Sequence, residues 1–191
     1  MTINDFNKTL DTYVKDNKGL SQASKQSEKD ISNQGSRSVG RFREGKMYSF
    51  RYFTPNESKY DTSPLIISLG SPQTGYQLGL NLHYLPYNVR VDFVSRIIKS
   101  YTSFFTRQIS GNIIKNPRLQ PGLSGFNYNS LNEALGARYN FKHAIHLYKL
   151  QRINSPIILG FENWHLGVVN NENYFFGTNI NEAQALYYKN I

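Results

Sequence analysis

No cysteine occurs among the 191 residues, so disulfides and thiolate metal ligands are both excluded, and with them a stapled secreted scaffold. No apolar run approaches the roughly 20 residues that a membrane helix needs, which implies no membrane partner. The opening stretch, MTINDFNKTLDTYVKDNKG, lacks the apolar centre of a signal peptide. A soluble protein of a reducing compartment is the expectation. Acidic residues are also few, 13 against 22 Lys and Arg, and none form a close DxD or ExxD cluster able to hold magnesium. A GxxxxGK[ST] phosphate loop, a GxGxxG after a strand and a GxSxG elbow are all missing. These absences point away from an enzyme, with no catalytic residues, no metal and no cofactor expected.

Asn, Lys, Ile, Tyr and Phe are plentiful, including 14 Tyr and 12 Phe, which suggests an AT-rich genome rather than a function. The net charge of +9 is more informative once its distribution is followed. Residues 1–40 carry +1, residues 41–89 carry +2 and residues 153–191 carry −2. Residues 90–152 carry ten basic side chains against Asp92 and Glu133, a balance of +8. Such a segment suits a polyanion such as DNA, or an acidic neighbour in an assembly.

Residues 1–40 are expected to form an N-terminal arm, flexible or helical. Phe6, Leu10, Tyr13 and Val14 have the spacing of a short amphipathic helix, whereas SQASKQSEKDISNQGSRSVG is too polar to offset the entropy of ordering. Residues 41–191 are expected to form a single domain. KMYSFRYFTP alternates as a strand, with Met47, Ser49 and Arg51 on one side and Tyr48, Phe50 and Tyr52 on the other. PLIISLG suits a strand buried on both faces, and Leu78–Leu85 is expected to be a third strand stopped by Pro86. Asn88 is placed to cap a helix whose stripe is Val94, Ile97, Ile98, Tyr101, Phe104 and Phe105. Ser130 to Glu133 has a capping-box pattern, opening a second helical region that runs to about Ile153. PIILGF and the alternating NWHLGVVN return to strands. The expected class is α+β: a small curved antiparallel sheet or SH3-like barrel, split in sequence by a helical insertion.

His83 can act as a base only with an oriented carboxylate, for which Asp61 and Asp92 are the candidates, and a structural role is favoured. His143 and His146 share a helix face at i, i+3 but lack further metal ligands. His165 and Trp164 read as structural. The remaining signal is basic. Arg90, Arg96, Lys99 and Arg107 on one helix, with Lys142, Lys149 and Arg152 on another, are the candidate DNA- or polyanion-binding residues. Tyr101, Phe104, Tyr139, Phe141 and Tyr148 would stack on bases only if exposed, and their helical phase turns most of them inward.

GLNLHYLP (Gly79–Pro86), the preceding MYSFRYFTP and PLIISLG, the following Arg90 and helix, and the later YKLQRINSPIILGFENWHLGVV together resemble the DNA end protector family of tailed bacteriophages. The resemblance spans about residues 46–170, although the interval from Tyr148 to Trp164 is shorter than the family pattern. It implies a non-enzymatic virion protein at the head–tail junction, present in the host cytoplasm before assembly. It also implies contact with phage DNA or with portal, neck, tail or baseplate subunits, and an oligomeric state in the particle. The alternative is a purely protein-binding assembly subunit with no DNA contact.

Overall fold

The computed structural model describes residues 2–34, 41–54, 61–110 and 144–169, excepting the side chains of 99–110. The elements in chain order are α1 (Ile3–Asp16), α2 (Leu20–Asn33), β1 (Met47–Tyr52), β2 (Leu65–Gly70), β3 (Tyr76–Asn81) and α3 (Tyr87–Ser110). They continue with β4 (Ile145–Lys149), β5 (Ile153–Leu159) and α4 (Trp164–Val169). The fold is α+β, with all pairings antiparallel and the strand order β4-β3-β2-β1-β5.

That order places β4 and β5 at opposite edges, yet only the 3-10 turn Leu150–Arg152 joins them. Four inter-strand steps in a flat sheet would separate the edges by about 19 Å. A three-residue 3-10 turn advances only about 6 Å. The sheet must therefore curl until its edges approach at this end. Contacts across the gap show that it does. Lys149 N of β4 donates to Tyr52 Oη of β1 at 3.3 Å. The rings of Tyr52 (β1) and Tyr148 (β4) lie 5.1 Å apart despite the two strands between them. The curved sheet remains unclosed, so the barrel alternative is approached without being completed.

The two faces bury different chemistry. On the concave side Tyr48, Phe50, Ile66 and Tyr148 form one core, with Tyr52, Phe42, Ile153 and Ile158 against it. On the convex side Met47, Leu65, Ile67, Leu80 and Leu159 meet the helices in a larger core with Phe93, Val94, Ile98, Trp164 and Val168. The alternation of β1 thus reads directly onto the sheet, and β2 is buried along its whole length.

The N-terminal segment is ordered as two helices. Thr2 and Asp5 form a capping box on α1, and Lys18 (φ 58°) and Gly19 (φ 117°) turn the chain into α2. Phe6, Leu10 and Ile31 enter the larger core, where each full burial contributes roughly 1.5–3 kcal/mol. The polar stretch expected to stay unordered is helical as far as Asn33. Its buried face is Ala23, Ser24, Ser27 and Ile31, so small residues bring α2 close to its neighbours, and Tyr13 Oη donates to Asp30 Oδ2 at 2.5 Å. Composition alone misses a face that needs so few apolar atoms.

Other expectations are corrected. The third strand ends at Asn81 rather than Leu85, and Leu82–Tyr84 form a 3-10 turn begun by the Asn81 side chain, which accepts from His83 N. α3 starts at Tyr87, directly after Pro86, so Asn88 lies within its first turn instead of capping it. Residues 145–149 form a strand where a helix was expected, and Trp164–Val169 form a helix where a strand was expected. Every residue of α4 is buried, and a short segment buried all round carries no readable period. The capping box at Ser130–Glu133 lies outside the described residues.

The curl also needs room inside. A Cβ added to Gly79 would lie 2.6 Å from Ile66 Cδ1 and 3.0 Å from Ile66 Cβ, and Ile66 is wholly buried. Gly79→Ala should therefore cost about 1–3 kcal/mol from overpacking. Denaturant unfolding checks this, and an unchanged midpoint would show that the interior has slack.

Candidate functional site

At one end of the concave core, polar residues replace apolar ones. Asp61, just ahead of β2, accepts from His83 Nδ1 at 2.7 Å, from Asn81 Nδ2 at 2.8 Å and from Ser63 N at 2.9 Å. Asn81 Nδ2 also approaches Tyr148 Oη at 3.2 Å. The strand ending at Asn81, the 3-10 turn carrying His83 and β4 are thereby tied to one carboxylate. Burial pushes the Asp61 pKa up, but the charge and hydrogen bond of His83, with the bonds from Asn81 and Ser63, hold it below the ordinary 3.8. Burial, followed by the nearby Asp61 charge, pushes the Tyr148 phenol well above its usual range.

Of the two carboxylates considered for His83, the structure selects Asp61, while Asp92 pairs with Arg96 one turn along α3. A carboxylate–imidazole pair can in principle orient a general base. Here the His83 and Asp61 side chains are only 1% and 2% exposed, which suits a buried brace. His83 Nε2 has no hydrogen-bond partner among the described residues. His146 lies on β4 with its ring 4.2 Å from that of Tyr84, not on a helix, and His143 is outside the described residues. His165 Nδ1 donates to Glu162 O at 3.1 Å, its ring packs edge-on against Tyr13, and burial lowers its pKa. Trp164 is a core residue at 2% exposure.

Of the basic residues expected on a second helix, Lys149 lies on β4 and Arg152 in the 3-10 crossing. Arg90 is 1% exposed, inside the fold rather than on it. It stands four residues before Val94 and seven before Ile97, so the helical period already places it on the apolar stripe. Arg96 is half-exposed and bonds Asp92 Oδ2 at 3.0 Å. Lys99 and Arg107 belong to α3, but their side chains, like those of Tyr101 and Phe104, lie outside the description, as do Lys142, Tyr139 and Phe141 altogether. Lys149 is exposed at the end of β4, with Nζ 5.9 Å from the Tyr76 ring centroid, and Arg152 is partly exposed in the 3-10 crossing. Tyr148 faces the concave core and is 5% exposed, too buried to stack on a base.

One feature of the sheet was not foreseen. No residue of the five strands or the 3-10 crossing is acidic, whereas Arg51, Lys149 and Arg152 are basic. None of these three has an ion-pair partner among the described residues. The signal was present in the sequence as acid-free segments at 45–54, 62–91 and 144–161, but a count over 90–152 hid it.

A family model described as the phage T4 terminal DNA protecting protein matches residues 1–116, and the chain belongs to that family. The match includes the N-terminal helices, which the sequence resemblance left out, and ends before β4 and Trp164. No curated protein and no solved structure matches the chain.

His83→Ala would take a hydrogen-bond partner from a buried carboxylate, and should cost about 1–3 kcal/mol in chemical denaturation. Asp61 has a folded-state pKa below its unfolded value. Its stabilisation is therefore complete at neutral pH and is lost as pH falls through the depressed folded value. The melting-temperature gap between the native chain and Asp61→Asn should narrow between pH 7 and about pH 3. A gap that stays constant with pH would contradict an ionised Asp61.

Proposed function

We propose that this chain is a non-enzymatic virion protein that guards the termini of packaged phage DNA at the head–tail junction. In this reading it holds DNA through phosphate contacts and meets neighbouring portal, neck or tail subunits as an oligomer in the particle. The observation that carries the reading is the positive charge of acid-free strands, with no ion-pair partner among the described residues, in a chain of the terminal DNA protecting family. Cations without local acidic partners attract phosphates and release their counterions on contact, which gives affinity without sequence reading. Lys149 and Arg152 are the primary contacts. Arg90 is given no DNA contact because it is buried.

Burial of the Asp61–His83 pair supports the non-enzymatic part, since a substrate has no approach to an imidazole whose side chain is 1% exposed. The pair is assigned a bracing role, fixing the turn that leads from the sheet into α3.

The test is binding of the full chain to linear duplex DNA across a salt series. Affinity should fall linearly with salt on logarithmic axes, and Lys149→Gln with Arg152→Gln should shrink the slope by about 0.9 for each phosphate contact removed. Absence of binding at low salt would overturn direct DNA contact and leave a protein-binding assembly subunit as the account.

A further inference from the structure

The 3-10 crossing creates a rim with unusual chemistry. Phe53, just past β1, is 56% exposed and Leu150, within the crossing, is 39% exposed. Two backbone hydrogen bonds, Phe53 N to Arg152 O and Leu150 N to Gly75 O, both 2.9 Å, and one from Lys149 N to the Tyr52 hydroxyl at 3.3 Å fix this rim. Arg51 and Lys149 are exposed on the flanking strands, and Arg152 is partly exposed in the crossing. Exposed apolar side chains and cations without an ion-pair partner among the described residues therefore share one end of the sheet.

We infer that this rim is the site that recognises a DNA terminus, with Phe53 stacking on the terminal base pair and Arg51, Lys149 and Arg152 holding its phosphates. The inference rests on the DNA-protecting reading and deepens it by naming the feature recognised. Along a continuous duplex every base face is covered by its neighbour, so an aromatic side chain meets only grooves and phosphates. A blunt terminus differs, because it presents one uncovered base-pair face ringed by phosphates. A ring beside several cations is complementary to that arrangement, and base–aromatic stacking tolerates any sequence. Phe53 is held by a backbone bond to the crossing, so its position needs little ordering on contact.

The test compares two duplexes of equal length and sequence, one a hairpin with one open blunt end and the other a dumbbell closed at both ends. The full chain should prefer the open duplex. Phe53→Ala should weaken binding to the open end by about 5- to 150-fold, the range for loss of one stacked base. It should leave dumbbell binding unchanged, and Phe53→Trp should restore the preference. Lys149→Gln with Arg152→Gln should weaken both duplexes. Thermal melting of each variant confirms folding, which the exposure of Phe53 favours. If the native chain binds both duplexes equally, or if Phe53→Ala keeps the open-end preference, the rim assignment is wrong while DNA binding stands. If the native chain binds neither duplex, both the assignment and the reading beneath it fail. If Phe53→Ala retains DNA binding but blocks incorporation into particles, the rim serves a protein neighbour and the inference is overturned.

Discussion

Lys149 and Ile153 sit on strands at opposite edges of a five-stranded sheet, and three residues separate them. The rest of the architecture follows from that short tether. A sheet forced to curl acquires a concave interior narrow enough for Tyr52 of β1 and Tyr148 of β4 to touch, and a convex exterior that α3, α4 and the N-terminal helices can cover. Gly79 leaves space where the curl is filled by Ile66. In α4, Gly167 serves the outer face: a Cβ there would lie 2.5 Å from Met47 Sδ and 3.1 Å from Leu65 Cδ2. Small residues at these contacts allow both faces to pack densely.

The same tether explains why polar chemistry occurs inside. Where β3 ends, the interior has to accommodate Asn81, whose backbone neighbours leave the sheet in a 3-10 turn. Hydrogen bonds link Asp61, His83, Asn81 and Tyr148 there, joining segments as far apart in sequence as residues 61 and 148. A buried polar network is costly when one partner is removed, because the group left behind stays out of water. Its value is geometric: it fixes the exit from the sheet into α3, and with it the face on which the helices pack. The GLNLHYLP motif therefore encodes a corner, with Gly79 for space, Asn81 and His83 for the brace, and Leu80 and Leu82 for the outer core.

Much of this was legible in the chain. Period-two alternation located β1, an apolar run bounded by Pro64 and Gly70 located β2, and the stripe from Val94 to Ile98 located α3. Asp61 was one of two candidate partners for His83, and only three-dimensional proximity could choose between them. The failures share a cause. AIHLYK and WHLGVV are short and apolar, so helix and strand periods fit both, and tertiary packing decides. The Ser-rich α2 was missed because a face built from Ala23, Ser24 and Ser27 lacks the hydrophobic signal that pattern reading seeks. The basic residues stood out through a count of charges, whereas folding buries Arg90, pairs Arg96 with Asp92, and puts Lys149 and Arg152 at the end of the sheet where the Phe53 backbone bonds Arg152. That rim depends on which strands become edges, and strand order is not a local property of sequence.

The proposed DNA contact lies at the end of the sheet where the short tether brings the edges together. Photo-crosslinking the full chain to a blunt duplex with a photoreactive terminal nucleotide, followed by mass spectrometry of the attached peptides, tests that location directly. The expected result is attachment within residues 51–54 and 149–152, lost when the photoreactive group is moved to the middle of the duplex. Attachment confined to α1, α2 or the convex face, or equal from terminal and central positions, would contradict it.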